Sequence, residues 1–176
     1  DGNRILSLTG QHKLADTGVR RIALTGGGQP DMLLPPLYRQ LFNGETQIDF
    51  NVALDPNGRI DIETGNLTTG ALLLAASGTV DPQGMNDLSA NLIGTNGPVD
   101  FRLPMDGGQA RLLIDGADIS LRGNAQAAAL NVAAALRSVE IPQGRLDGIK
   151  LSAASQDLNL AAFTGTVDTT VSVDGS

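Results

Sequence analysis

The sequence contains no cysteine, no tryptophan, one tyrosine and one histidine in 176 residues. Without cysteine there is no disulfide scaffold, thiolate metal site or thiol nucleophile. That absence suits an oxidising compartment as well as a reducing one. With His12 as the only histidine, a two-histidine metal site is impossible and a histidine-based triad is not expected; Gln11-His12-Lys13 reads as surface. Glutamate and lysine are scarce, 3 and 2 residues against 16 aspartates and 10 arginines. Few helix-surface residues, together with 22 glycines and 8 prolines, speak against a helical bundle. No apolar run approaches the roughly 20 residues of a membrane span, and no signal-peptide pattern opens the chain. A net charge of −7, with Arg20-Arg21 as the one adjacent basic pair, makes nucleic acid an unexpected partner. The hydrophobic content of 41% excludes a disordered chain.

What is present is alternation. In Gln47–Leu54, Ile48, Phe50, Val52 and Leu54 share one side, and Gln47, Asp49 and Asn51 the other. Side chains alternate across a strand, so this is a strand with one apolar face. Asp55-Pro56-Asn57-Gly58 is a turn by its residue chemistry, and Ile60 and Ile62 resume the pattern as a hairpin partner. Further strands are expected at 71–80, ending at Asp81-Pro82-Gln83-Gly84, and at 87–93 through Leu88, Ala90 and Leu92. Val99, Phe101 and Leu103 mark another; Ala110, Leu112 and Ile114 the next; Ile119 and Leu121 the one after. Leu6–Leu8, Val19–Leu24 and Thr169–Val173 follow the same style. The spacing predicts about a dozen strands in one unit over 1–176.

Two segments depart from this. Pro35-Pro36-Leu37-Tyr38-Arg39-Gln40-Leu41-Phe42-Asn43-Gly44 predicts one short helix over about 36–42, with proline at its start and glycine past its end. Residues 125–137 are locally good helix formers, yet Leu130, Val132, Ala134 and Leu136 alternate with Asn131, Ala133 and Ala135. Strand is favoured there, because the neighbouring strands need partners. Gly26-Gly27-Gly28 lacks the Lys-Ser/Thr of a phosphate loop and reads as a flexible connection. The aspartates lie in turns or on polar strand sides, and Asp55-Pro56-Asn57-Gly58 lacks the later ligands of a calcium loop. No catalytic residue, metal site or cofactor is expected, and an enzyme is the least favoured reading.

The apolar face is aliphatic, whereas closed sandwiches usually draw on large rings. Two readings follow: a β-sandwich or barrel with an ordinary core, or a curved sheet whose inner face is a lipid-sized groove. Each buried CH₂ is worth about 0.8 kcal/mol, so a sixteen-carbon chain costs on the order of 12 kcal/mol to expose to water. A dozen strands about 4.8 Å apart would offer it roughly 55 Å. The expected lining is Ile48, Phe50, Val52 and Leu54, then Ile60, Ile62, Leu88 and Leu92, then Val99, Phe101, Leu112, Ile114, Ile119 and Leu121. Charging Val52 or Leu112 to Asp is expected to block passage while leaving the sheet folded.

The stretch Leu33-Leu34-Pro35-Pro36-Leu37-Tyr38-Arg39-Gln40-Leu41-Phe42-Asn43-Gly44-Glu45-Thr46-Gln47-Ile48-Asp49 resembles a segment of the TamB family, in which a short Leu-Pro-Pro-x-Tyr-Arg helix precedes a strand. The units 67–80 and 145–153 have the same strand–turn cadence. The resemblance implies a repeating β-groove, or β-taco: an elongated, rolled, mainly β sheet with an aliphatic interior, related to AsmA-like and bridge-like lipid transfer proteins. It implies a periplasmic location within a longer protein anchored in the inner membrane, with the anchor outside this stretch. It also implies phospholipid acyl chains as cargo, a TamA-like outer-membrane barrel as partner of the full-length protein, and support of autotransporter assembly. Three uses are therefore expected in order: a lipid-conducting segment; a chaperone for unfolded outer-membrane protein strands; a closed structural or adhesin module.

Overall fold

Asp55-Pro56-Asn57-Gly58 turns the chain by the chemistry of its residues. The Asp55 carboxylate accepts the Asn57 N–H at 2.9 Å, the Gly58 N–H reaches the Asp55 carbonyl at 2.9 Å, and Gly58 takes φ +87°. That left-handed conformation is accessible to glycine without strain. The strands on either side are Thr46–Leu54 (β3) and Ile60–Thr68 (β4), paired antiparallel.

The structure is a computed structural model and describes residues 5–160, 162 and 164–174. Before the hairpin lie β1 (Leu6–Leu14) and β2 (Arg20–Gly28). After it come β5 (Leu72–Val80), β6 (Asn86–Gly94), β7 (Val99–Met105) and β8 (Gly108–Asn124). The described chain ends with β9 (Ala127–Ile141), β10 (Gly144–Leu158) and β11 (Asp168–Val173). All eleven strands belong to one antiparallel sheet in the order β1-β2-β3-β4-β5-β6-β8-β9-β10-β11, with β7 also on β8. The two end strands do not pair with each other, so the sheet is not a closed barrel.

β6 and β7 run in the same direction along one side of β8, β6 against residues 116–123 and β7 against 108–114. They are one long strand broken at 95–98, where Thr95 donates its N–H to the Ala71 carbonyl and its hydroxyl to the Thr69 carbonyl. The fold is therefore a meander. It steps from nine-residue strands to strands of 15–17 residues at β8–β10.

Residues 29–45 fill the corner of that step. They hold a 3₁₀ turn, Pro30–Leu33, and a single helical turn, α1, Pro36–Arg39. The helix expected over 36–42 is thus cut to four residues; Leu41 and Phe42 follow in a turn bonded to Tyr38 and Arg39 carbonyls. Residues 125–137 are strand, as favoured, with β9 starting at Ala127. The two strands expected at 110–114 and 119–121 are one, because Asp115-Gly116 is a bulge and not a turn. Likewise 145–153 lies wholly within β10. The Gly26-Gly27-Gly28 run is not a flexible connection but the end of β2. A Cβ on Gly26 would collide with the Ser7 carbonyl and Leu8, so these glycines permit close strand approach.

A one-residue slip in a strand sends its apolar residues to the wrong face. Bulges here prevent that. Glu63-Thr64 separates Ile62 from Gly65, Asp115-Gly116 separates Ile114 from Ala117, and Arg137-Ser138 separates Leu136 from Val139. In each case two residues on the polar side keep the flanking apolar pair on one face.

Candidate functional site: the aliphatic face

Directly paired residues of antiparallel strands lie on the same face, so the register can be followed across the whole sheet. One row reads Leu8, Gly26, Ile48, Leu67, Leu74, Leu92, Ala117, Ala134, Leu151 and Val171. The next reads Gly10, Leu24, Phe50, Gly65, Ala76, Ala90, Ile119, Val132, Ala153 and Thr169. A third carries Ile22, Val52, Ile62, Leu88, Leu121 and Leu130. Leu54 pairs with Ile60, Val99 with Ile114, and Phe101 with Leu112. All fourteen residues expected to line a groove therefore share one face.

That face holds Val52, Leu72, Val99, Ala128, Leu136 and Ile149, each buried. It is not fully covered. Ile119, on the interior strand β8, is 43% exposed, and Phe50 is 37% exposed. The chain's accessible surface is 11,071 Å². A globular monomer of 18.2 kDa would show about 8,100 Å². The chain therefore exposes more surface than a compact globule of its mass. The sheet is ten strands across, or nine spacings of about 4.8 Å, so this face runs roughly 43 Å rather than the 55 Å expected from a dozen strands.

The opposite face is different in kind. Its central rows carry Ser77, Ser89, Ser120 and Asn131, and then Asn66, Ala75, Asn91 and Asp118. Their small side chains leave a hollow of about 730 Å³ that crosses strands β4 to β10. The alternation did show that these positions are polar. It did not show that serine, alanine and asparagine would leave space there.

Towards β7–β10 the same polar face carries a ladder of ion pairs. Arg111 bonds both oxygens of Asp100 at 3.0 and 2.8 Å and lies 3.8 Å from Glu140. Arg145 then joins Glu140 at 3.1 Å to Asp147 at 2.7 Å. The bonds from Arg111 hold the Asp100 carboxyl below its ordinary pKa. Asp61 is lowered in the same way by Arg59 and, next, by the Thr79 hydroxyl. Among the described residues, no group of three or more His, Cys, Asp or Glu is placed to hold a metal ion. His12 is exposed. Among the described residues, no helix is long and apolar enough to cross a membrane.

Sequence reasoning missed Gln40. Its side-chain amide donates to the Arg102 carbonyl at 2.8 Å and accepts the Arg102 N–H at 2.9 Å, pairing with β7 as a neighbouring strand would. No local signal announces this, because its partner lies 62 residues away.

No protein-family model matches the chain, and no curated protein or solved structure matches it.

Proposed function

We propose that this chain is a passive acyl-chain-carrying segment of the TamB kind, working in the periplasm as part of a longer, inner-membrane-anchored protein. Its aliphatic face would shelter phospholipid tails between the two membranes and so support outer-membrane assembly; no reaction is catalysed. The rolled, taco-like form belongs to this proposal. The observation that carries it is the apolar row from Leu8 to Val171 across ten strands, on a face where Ile119 of the interior strand β8 stays 43% exposed. Exposed apolar area of that extent marks a binding surface in a soluble protein. An alkyl chain needs only such a lining, since dispersion and water release require no directed polar group.

The test places a photoreactive residue at Phe50 or Ile119 and, as control, at Ser120 on the polar face. With phospholipid vesicles or detergent micelles present, labelling of acyl chains is expected from Phe50 and Ile119 and not from Ser120. Equal labelling from both faces overturns the reading. Crosslinks to unfolded outer-membrane protein strands without lipid favour the chaperone alternative. Charging Val52, suggested by the sequence alone, is the wrong variant: it is 5% exposed, and a carboxylate there would unfold the sheet. Phe50→Asp and Ile119→Asp are the variants that keep the fold and spoil the lining.

A further inference from the structure

Residues 29–45 sort their apolar side chains two ways. Leu34, Leu37, Leu41 and Phe42 are half-buried, while Met32, Leu33 and Tyr38 are 74%, 66% and 47% exposed. The segment joins β2 to β3 and lies inside the strand order, so its exposure is not that of a sheet edge. It is already held in place without the outward three. The Gln29 N–H bonds the Ile5 carbonyl at 2.7 Å, Gln40 engages both main-chain groups of Arg102, and the Thr69 hydroxyl donates to the Leu41 carbonyl at 2.6 Å. Met32, Leu33 and Tyr38 contribute little to folding, because most of their surface stays in water.

The two turns that carry them, Pro30–Leu33 and Pro36–Arg39, lie against each other. Their main chain is poor in free donors. Pro30, Pro35 and Pro36 have no N–H, the Leu34 N–H bonds the Asp31 carbonyl at 3.1 Å, and the Tyr38 N–H bonds the Pro35 carbonyl at 2.9 Å. Unpaired main-chain groups are what hydrocarbon penalises, so such turns approach it at lower cost than an open loop. Tyr38 joins an apolar ring to a terminal hydroxyl, which suits the boundary between acyl chains and headgroups. Beside it, the Arg39 Nε donates to the Leu34 carbonyl at 3.0 Å. Among the described residues its terminal nitrogens make no ion pair, which leaves them for a phosphate oxygen. Asp31 and Arg39 are the only charges between residues 29 and 44, so the segment is neutral in a chain of net charge −7. Three outward side chains are far short of the ~800 Å² per partner of a stable protein interface, yet they suffice for shallow insertion into a bilayer.

We propose that this segment is a membrane-surface contact. Met32, Leu33 and Tyr38 enter the headgroup–acyl boundary of a phospholipid bilayer, and Arg39 meets a lipid phosphate. The fixed base of the segment means that little ordering entropy is lost on insertion. This goes beyond the acyl-chain reading and does not depend on it.

Tyr38 is the only tyrosine and there is no tryptophan, so tyrosine emission reports on this segment alone. With phosphatidylcholine vesicles whose acyl chains are brominated, that emission is expected to be quenched. With unbrominated vesicles it is expected to become shielded from acrylamide in the water. Met32→Asp and Leu33→Asp are each expected to weaken vesicle binding roughly tenfold. Circular dichroism checks that both remain folded. Met85→Asp is the matched control. Met85 is also 66% exposed, but it lies between β5 and β6, at the opposite end of the strands. That variant should bind as the parent does. Tyr38 emission that brominated lipid leaves unchanged at every lipid concentration overturns the proposal. So does a Met85→Asp loss as large as that of Leu33→Asp. Acyl-chain labelling from Ile119 in detergent micelles should survive Leu33→Asp, so failure here is distinct from failure of the acyl-chain reading.

Discussion

The two faces of the sheet are made by the same strands, residue by residue in turn, yet they hold the fold by different means. The aliphatic face contains nearly all the buried residues and gains its energy from area removed from water. The polar face holds small side chains around a hollow at its centre and exposed ion pairs towards β7–β10. Such pairs contribute no more than about 1 kcal/mol each in water. Stability therefore lies on one face, while the other supplies solubility and space.

The largest test of this contrast compares Leu136, 5% exposed, with Ser120. Leu136→Ala is expected to lower unfolding free energy by about 2–5 kcal/mol through lost contact and a cavity. Ser120→Ala should change it by no more than about 0.5 kcal/mol. Denaturant titration of both variants checks the pair; comparable losses would break the contrast. A second variant sharpens what the aliphatic face needs. Gly78 lies on it at φ +128°, and an added Cβ would meet the Asp87 carbonyl. Gly78→Ala adds apolar surface yet is expected to destabilise by roughly 1–3 kcal/mol, because the backbone there excludes a side chain. A neutral or stabilising result would mean that the strand relaxes at no cost.

The smallest effect concerns acid. Asp100 and Asp61 are held below the ordinary carboxyl range by their arginine partners, so their contribution is complete above that range. It is lost as pH falls through their lowered values, since protonation then breaks bonds that the unfolded chain does not make. Thermal melts should show a modest drop on acidification that shrinks in Asp100→Asn. A drop of the same size in that variant would place the acid sensitivity elsewhere.

Much of the sheet was legible in the sequence because alternation and turn chemistry are local. Ile48 to Leu54, the Asp-Pro-Asn-Gly turn and Ile60-Ile62 state a hairpin within fifteen residues. The fourteen candidate lining residues fell on one face for the same reason. What was hidden depended on distant partners. Asp115-Gly116 has the composition of a turn and becomes a bulge only because β9 runs alongside it. The glycines of β2 read as loose until the Ser7 carbonyl is seen against Gly26. The helix stops at Arg39, and Gln40 then spends its amide on β7. The hollow escaped notice because polarity is visible in a sequence, whereas side-chain volume acts only once neighbouring strands are in register.

The meander has a consequence for how the molecule comes into being. Apart from β6 and β7, which lie end to end on β8, each strand pairs with the strands beside it in sequence, and the longest excursion between consecutive strands, residues 29–45, returns to the same edge it left. Hardly any pairing waits on a remote segment, so loop-closure cost stays low at every step. The chain can assemble like a zip, hairpin upon hairpin, as it emerges from its N-terminal end. Pulled from either end, it should part in the same way, one strand at a time.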